Sequence, residues 1–129
     1  MPNLYVAMYQ PTEGNYEHWA LYLENGPEHT IYEIVGEWPS FRPNVKLARP
    51  SNTNRHKRSI LVYSIGLSDI VAFQGAVASV RLDNLASEWN CQDYVIECLD
   101  KLEEGCIIDG NDEEYIKAKE QVKEYFGPL

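Results

Sequence analysis

The sequence lacks any long hydrophobic segment, and it is poor in basic residues. No apolar run approaches the roughly 20 residues that a membrane-spanning helix needs, so we expect no stable membrane insertion. Lysine and arginine number 11 against 20 aspartates and glutamates, which gives a net charge of −9. A negatively charged surface repels the phosphate backbone and anionic membranes, so nucleic acid is not an expected partner. A small-molecule or peptide substrate is compatible with this charge.

Cysteine and histidine are also scarce, with three of each among 129 residues. Cys91, Cys98 and Cys106 form no C-x-x-C pair, and their odd number does not suggest a disulfide framework. The scattered histidines and cysteines lack the closely spaced ligand pairs of metal sites, so neither a metal nor another cofactor is expected. The N-terminus lacks the charged start and apolar core of a secretory signal. Together these absences predict a reducing, cytoplasmic location.

The hydrophobic residues that are present predict one folded domain spanning residues 1–129. Hydrophobic residues make up 44% of the chain and aromatic residues 12%, as in ordinary globular proteins. Strands precede helices along the chain, which predicts an α+β domain with an antiparallel sheet packed against helices. The predicted strands are 4–10, 16–24, 29–35 and 59–65, with short extended pieces at 44–48, 80–82 and 106–108; a turn is predicted at 11–15, and helices at 69–78, 91–105 and 112–126.

The second and third predicted strands are joined by a strong turn signal, and residues 16–35 therefore read as a β-hairpin. Asn25 and Gly26 form the dipeptide most typical of tight hairpin turns. Pro27 follows directly, which suggests a loop longer than two residues.

A cysteine stands where the second predicted helix begins. Asn90 is a good N-cap residue, and Asp93 places an acid in the first turn. Cys91 therefore meets the positive end of the helix dipole and unpaired backbone N–H groups, which stabilise a thiolate. The alternative is a small buried residue that starts a core helix, because free cysteine is common in protein cores.

Two other features allow more than one interpretation. The basic stretch 55–58 is either a contact for phosphate or a partner, or, as we favour, a solvated loop tip. Trp19, Trp38 and Trp89 could line a ligand groove, and equally they could all belong to the core.

A cysteine nucleophile requires a base, usually histidine, and a polar group that orients it. His56 lies in the basic stretch and is the least favourable candidate. His18 and His29 lie on the two strands of the predicted hairpin. A histidine at a strand end is often only a polar boundary residue, so neither position identifies a base by itself.

The two segments together resemble a known family. The sequence HWALYL, beginning at His18 and followed by the returning strand, resembles the histidine hairpin of the circularly permuted papain-like group. That group includes proteins similar to lecithin:retinol acyltransferase and permuted relatives of the NlpC cell-wall peptidases. The sequence NCQDYV, beginning at Asn90, resembles the cysteine motif of the same group, and the histidine precedes the cysteine in both. The resemblance implies a permuted papain-like fold with the nucleophile at a helix N-terminus.

The resemblance also implies a role for each matched residue. Cys91 would be the nucleophile and His18 the general base. The third residue would be His29 if the strands are aligned from the turn, or Glu33 if they are aligned by their apolar residues. Both have the same strand parity, and we favour Glu33 slightly because a longer loop accounts for Pro27. The backbone N–H of Cys91 would stabilise the oxyanion, and Gln92 would either assist it or lie on the surface.

The implied reaction is attack of the thiolate on an acyl carbon, followed by transfer of the acyl group from the enzyme. Lipid-active members of the acyltransferase branch are expected to carry an apolar membrane-binding segment. None is visible in this sequence, which favours hydrolysis of amide or peptide bonds. The alternatives are a catalytically inactive binding domain of the same fold and a lipid or thioester acyltransferase. The oligomeric state stays open.

Overall fold

A computed structural model describes residues 1–11 and 14–129, which form a five-stranded antiparallel sheet and three α-helices. The predicted α+β architecture is confirmed. The strands are β1 (Asn3–Tyr9), β2 (His18–Asn25), β3 (Glu28–Val35), β4 (Arg42–Lys46) and β5 (His56–Ser64). The helices are α1 (Ile70–Ala78), α2 (Cys91–Glu104) and α3 (Glu113–Lys123).

The order of the strands brings the end of β1 and the start of β2 together. The sheet runs β4-β3-β2-β1-β5, so β1 lies between β2 and β5 although it comes first in the chain. Tyr9 at the end of β1 pairs with His18 at the start of β2. In the neighbouring ladder Leu21 pairs with Tyr32, and Glu33 follows directly on β3. Tyr9, His18 and Glu33 therefore lie towards the same end of the sheet.

Alternation along the strands gives the sheet two different faces. The helices cover one face, with α2 against β2 and β3, α3 against β5, and α1 against α2. The main core on that face includes Leu4, Val6, Met8, Trp19, Leu21, Tyr32 and Ile34 from the sheet and Val95, Cys98, Leu99 and Leu102 from α2. A smaller cluster on the other face contains Ala7, Tyr9, Ala20, Tyr22 and Ile31, with Ala48 packed against it. His18 and Glu33 have the strand parity of this smaller cluster.

The hairpin turn is shorter than the sequence suggested. Asn25 pairs directly with Glu28, so Gly26 and Pro27 form a two-residue turn. Gly26 has a φ of 60°, a conformation that glycine adopts without steric strain. Pro27 is compatible with the second turn position because its backbone N–H is not needed there. The expectation of a longer loop was therefore wrong.

The boundaries differ from the predictions in several other places. Residues 80–82 and 106–108 are not strands. The backbone N–H groups of Ile107 and Ile108 instead donate to the carbonyl oxygen of Leu102 and close the end of α2. The last helix ends at Lys123 rather than at 126. The predicted turn at 11–15 includes residues 12 and 13, which lie outside the described residues.

Membrane crossing would require a long apolar helix. No helix within residues 1–11 and 14–129 has the length and hydropathy to cross a bilayer.

Candidate active site

The start of α2 is held by reciprocal capping hydrogen bonds. The side-chain oxygen of Asn90 accepts a hydrogen bond from the backbone N–H of Gln92 at 2.9 Å, and the Asp93 carboxylate accepts one from the N–H of Asn90 at 3.0 Å. Cys91 is the first residue of the helix and only 5% exposed. The first N–H groups of a helix have no acceptor within it. An anion beside Cys91 therefore meets the positive end of the helix dipole.

The beginning of β2 lies directly against this helix end. The backbone N–H of Trp19 points at Sγ of Cys91, with a nitrogen–sulfur distance of 3.5 Å. Because Trp19 follows His18 in the chain, this contact places the histidine next to the thiol. A donor aimed at sulfur also stabilises the thiolate form of cysteine.

Gln92 holds the two segments together through both ends of its amide. Its Nε2 donates to the carbonyl oxygen of Glu17 at 2.9 Å, and its Oε1 accepts from the N–H of Gly127 at 2.7 Å. The side chain is fully buried. The sequence had suggested either an oxyanion donor or a surface residue. The surface alternative is wrong, because Gln92 is buried. The oxyanion role stays a prediction, because the amide has a second N–H besides the one that Glu17 accepts.

Glu33 lies within hydrogen-bonding distance of His18. Its Oε1 is 2.9 Å from Nε2 of His18. Its other oxygen accepts from Nδ2 of Asn44 at 3.0 Å and lies 3.3 Å from Nζ of Lys46, and both of these residues are on β4. Burial favours the neutral acid, but the bonds from His18 and Asn44 outweigh burial and lower the pKa of Glu33 to about 2.

The imidazole of His18 interacts with both Cys91 and Glu33. Burial favours the neutral ring, yet interactions with Cys91 and with Glu33 outweigh it and raise the pKa of His18 to about 9. Since Nε2 faces Glu33, Nδ1 is the ring nitrogen left to exchange a proton with Cys91. A thiol, an imidazole and a carboxylate therefore lie in sequence, an arrangement that can transfer a proton from the thiol and orient the imidazole.

His29 is not part of this arrangement. Its Nδ1 lies 2.6 Å from the hydroxyl oxygen of Tyr22, and the two rings are stacked. It pairs with Glu24 beside the hairpin turn, several residues along the strand from Glu33. The structure therefore joins Glu33, and not His29, to His18. The remaining histidine, His56, lies beside Ser59 and contacts the ring of Tyr9.

A pocket of about 930 Å³ opens above the thiol. Its volume is in the range of ordinary ligand sites. Another pocket, of about 990 Å³, is slightly larger, but its described lining contains His29 and none of the three clustered residues. The pocket at the thiol is lined by Cys91, His18, Glu33, the aromatic residues Tyr9, Tyr16, Trp38, Phe41 and Trp89, and charged residues including Lys46, Arg55, Glu37 and Glu88.

Two of the aromatic lining residues contact each other, and one of them is held by a hydrogen-bonded side chain. Phe41 and Trp89 meet edge to face with their ring centroids 6.0 Å apart. The side chain of Asn84 accepts from the backbone N–H of Phe41 at 2.8 Å and donates to its carbonyl oxygen at 3.3 Å. Trp38 stays 45% exposed at the rim, whereas Trp19 is fully buried in the core. Two of the tryptophans therefore line a groove and the third is structural.

The basic stretch has a structural role that the sequence did not reveal. Lys57 and Arg58 lie in β5, and their cationic groups are 2.5 and 2.7 Å from the two carboxylate oxygens of Glu17. The Glu17 side chain is only 1% exposed. Arg58 also stacks on the ring of Tyr125 at 4.1 Å. The prediction of a solvated loop tip is wrong for Lys57 and Arg58, which fix the residue before His18.

Metal ligands were not expected from the sequence. In the part of the chain that the structure describes, no three histidine, cysteine or acidic side chains are grouped so that they could hold a metal ion.

Comparison with known proteins gives a family but no activity. No curated protein and no solved structure matches the chain significantly. A family model described as a family of unknown function, DUF6540, matches residues 4–109. The match spans β1 to the end of α2 and so includes Cys91, His18 and Glu33. The chain belongs to the DUF6540 family.

Proposed function

We propose that this protein is a cysteine hydrolase that cleaves an amide bond through an acyl-enzyme. Cys91 is the nucleophile, His18 exchanges protons with it, and Glu33 orients the imidazole. The observation that carries this proposal is the position of His18, which interacts with both Cys91 and Glu33 beside an open pocket. Nucleophile, base and orienting group within reach of one another are the signature of an activated thiol.

The finer fold class belongs to the same proposal. A nucleophile at a helix N-terminus, packed against a strand that carries the histidine, supports the resemblance to permuted papain-like proteins. The histidine hairpin also precedes the cysteine helix in the chain, as in that group.

Acylation begins from the thiolate–imidazolium pair. The sulfur of Cys91 attacks the carbonyl carbon, a carbon–sulfur bond forms, and the carbonyl electron pair moves onto oxygen. The backbone N–H of Cys91, at the first position of the helix, stabilises that oxyanion. As the electron pair returns, the carbon–nitrogen bond breaks, and His18 gives its proton to the departing amine.

Deacylation uses the neutral imidazole that results. His18 takes a proton from water, and the oxygen of that water attacks the thioester carbon. The carbon–sulfur bond then breaks, which releases a carboxylic acid and restores the thiolate–imidazolium pair. Glu33 stays ionised throughout, since its pKa of about 2 lies far below neutral pH.

The charge state of His18 favours an amide as the substrate. An amine leaves only after it receives a proton, whereas phenolates and thiolates leave without one. With a pKa of about 9, His18 is protonated at neutral pH and can supply that proton.

An activated acyl ester tests the proposal without knowledge of the natural substrate. The protein is mixed with p-nitrophenyl acetate, release of p-nitrophenolate is followed, and the acetylated peptide is identified by mass spectrometry. We expect a burst of one equivalent and acetyl on Cys91. Cys91→Ala should abolish the burst, while Cys106→Ala, which changes an exposed cysteine, should leave it intact.

Acetylation of Cys91 no faster than that of Cys106 would contradict the proposal. The result would favour a binding domain of the same fold, in which the cluster of Cys91, His18 and Glu33 has no catalytic role.

A further inference from the structure

Tyr9 places a buried hydroxyl beside the candidate active site without a hydrogen-bond partner. The side chain is 7% exposed, and among residues 1–11 and 14–129 no group is bonded to its oxygen. The ring lies 5.5 Å from the His18 ring, centroid to centroid, and Tyr9 pairs with His18 across the two strands. Tyr9 also lines the pocket that contains Cys91.

An unpaired buried hydroxyl is unfavourable for the folded chain. Loss of its hydrogen bonds to water is not compensated when no protein group replaces them. Phenylalanine would fill the same space without this penalty. A hydroxyl kept at such a place is therefore explained better by a partner that arrives with the substrate than by packing. Because the oxygen has no exposed surface in the free protein, the substrate reaches it only after a small displacement of the pocket wall.

The oxyanion of the proposed reaction requires a further hydrogen-bond donor. Stabilising a tetrahedral oxyanion generally takes more than one hydrogen bond, and the backbone N–H of Cys91 supplies one. The side-chain amide of Gln92, the residue after Cys91, already donates one N–H to the carbonyl oxygen of Glu17. Its other end accepts from the N–H of Gly127, and Gln92 is not among the described residues that line the pocket with Cys91.

We propose that the hydroxyl of Tyr9 is the second hydrogen-bond donor to the oxyanion formed on Cys91. This role rests on the proposed cysteine hydrolase function. The donated hydrogen bond strengthens as negative charge gathers on the carbonyl oxygen, so it stabilises the transition state more than the bound substrate.

The surroundings of Tyr9 keep its hydroxyl protonated. Burial raises the pKa of Tyr9 above its ordinary value of 10.0, and the nearby carboxylate of Glu33 raises it further. A neutral phenol is a donor, so Tyr9 keeps its proton available over the range in which His18 carries its charge.

Two reactions of the same thiol separate this role from a purely structural one. Acetylation by p-nitrophenyl acetate passes through an oxyanion, because the thiolate adds to a carbonyl carbon before p-nitrophenolate leaves. Alkylation by iodoacetamide displaces iodide at a saturated carbon and forms no oxyanion. A group that stabilises an oxyanion therefore accelerates the first reaction and not the second.

Tyr9→Phe is the informative variant, and Tyr5→Phe is its matched control. Tyr5 lies on the same strand with the same parity, but its hydroxyl donates to Glu24, away from the thiol. We expect Tyr9→Phe to slow acetylation of Cys91 by a factor on the order of 10², as loss of an oxyanion donor does elsewhere. Alkylation should keep its rate, and the melting temperature should not fall. Tyr5→Phe should change neither reaction.

Two results would overturn the role of Tyr9 while leaving the hydrolase intact. In one, Cys91 is acetylated in Tyr9→Phe as fast as in the wild type. In the other, acetylation and alkylation slow by the same factor, which would mean that Tyr9 only positions Cys91. If the wild type itself fails to acetylate Cys91, the hydrolase proposal fails, and the role of Tyr9 fails with it.

Discussion

His18 and Glu33 are 15 residues apart in the chain, and Nε2 of His18 lies 2.9 Å from Oε1 of Glu33. The contact spans adjacent strands of a hairpin, so the ladder between β2 and β3 fixes it. Asn44 and Lys46 then hold the other carboxylate oxygen from β4. Glu33 is therefore held from both sides, and the imidazole has one preferred orientation with Nδ1 free for Cys91.

Glu33→Gln should lower the pKa of His18. The substitution keeps the shape of the side chain and removes a charge that stabilises the imidazolium. His18 should then titrate clearly below the pKa of about 9 that the wild type has. Titration of the histidine ring protons by NMR measures this shift. Glu28→Gln, an exposed change at the start of the same strand, is the control and should leave His18 unaffected. An unchanged or higher pKa in Glu33→Gln would contradict the ion pair.

The raised pKa of His18 also predicts a pH-dependent stability. The folded value of about 9 lies above the ordinary 6.5, so folding favours the protonated ring. This contribution is fully present below pH 6.5 and is lost as pH rises through about 9. Urea denaturation across that range should show a decline in the wild type that is smaller in His18→Ala. Equal declines in stability in the two proteins would show that groups other than His18 cause the pH dependence.

Glu17→Ala should destabilise the whole fold. Removing one partner from a buried ion pair costs several kcal/mol, and we expect about 3 kcal/mol, at the lower end. The cost is moderated because Lys57 and Arg58 are 31% and 29% exposed, so water can solvate them. The free energy of unfolding from urea denaturation measures the effect. Glu120→Ala, an exposed change on α3, is the control. A loss no larger than that of the control would show that the ion pairs contribute little.

Gln92→Ala tests the contact between α2, β2 and the segment after α3. Its removal leaves the carbonyl of Glu17 and the N–H of Gly127 without their present partners, which costs about 2 kcal/mol. Gln121→Ala, an exposed change of the same residue type, should cost far less. Thermal unfolding compares the two. If they prove equal, the amide of Gln92 is not holding the segments together.

The local features of the site could be predicted from the sequence. An N-cap, an acid in the first turn and an apolar repeat are short-range signals, and they placed Cys91 at the first position of α2. The aromatic and aliphatic runs placed the hairpin that carries His18 and Glu33. Glu33 lies beside His18, as the sequence favoured. The argument that favoured it was wrong, because it assumed a longer loop at Pro27 and the loop is short.

The remaining contacts are long-range, and no local pattern contains them. Glu17 meets Arg58 from 41 residues away, and Gln92 meets the carbonyl of Glu17 from 75. Tyr9 can be recognised as a candidate only from its pairing with His18 in the sheet. The alternation of Asn44 and Lys46 on β4 was the one signal that could have placed them on a common face.

The most direct test of the account is the rate of alkylation of each cysteine, resolved by mass spectrometry, in the wild type and in His18→Ala. The three thiols have different surroundings. Cys106 is exposed and serves as the reference thiol, whereas Cys98 is buried and its pKa is raised to about 12, so it should stay unlabelled. The measurement is made near pH 7, well below the ordinary thiol pKa of about 8.5.

The account predicts that Cys91 is labelled faster than Cys106 although it is only 5% exposed, and that His18→Ala removes this advantage. Labelling of Cys91 no faster than that of Cys106, and equal in the two proteins, would contradict an activated thiol at this site.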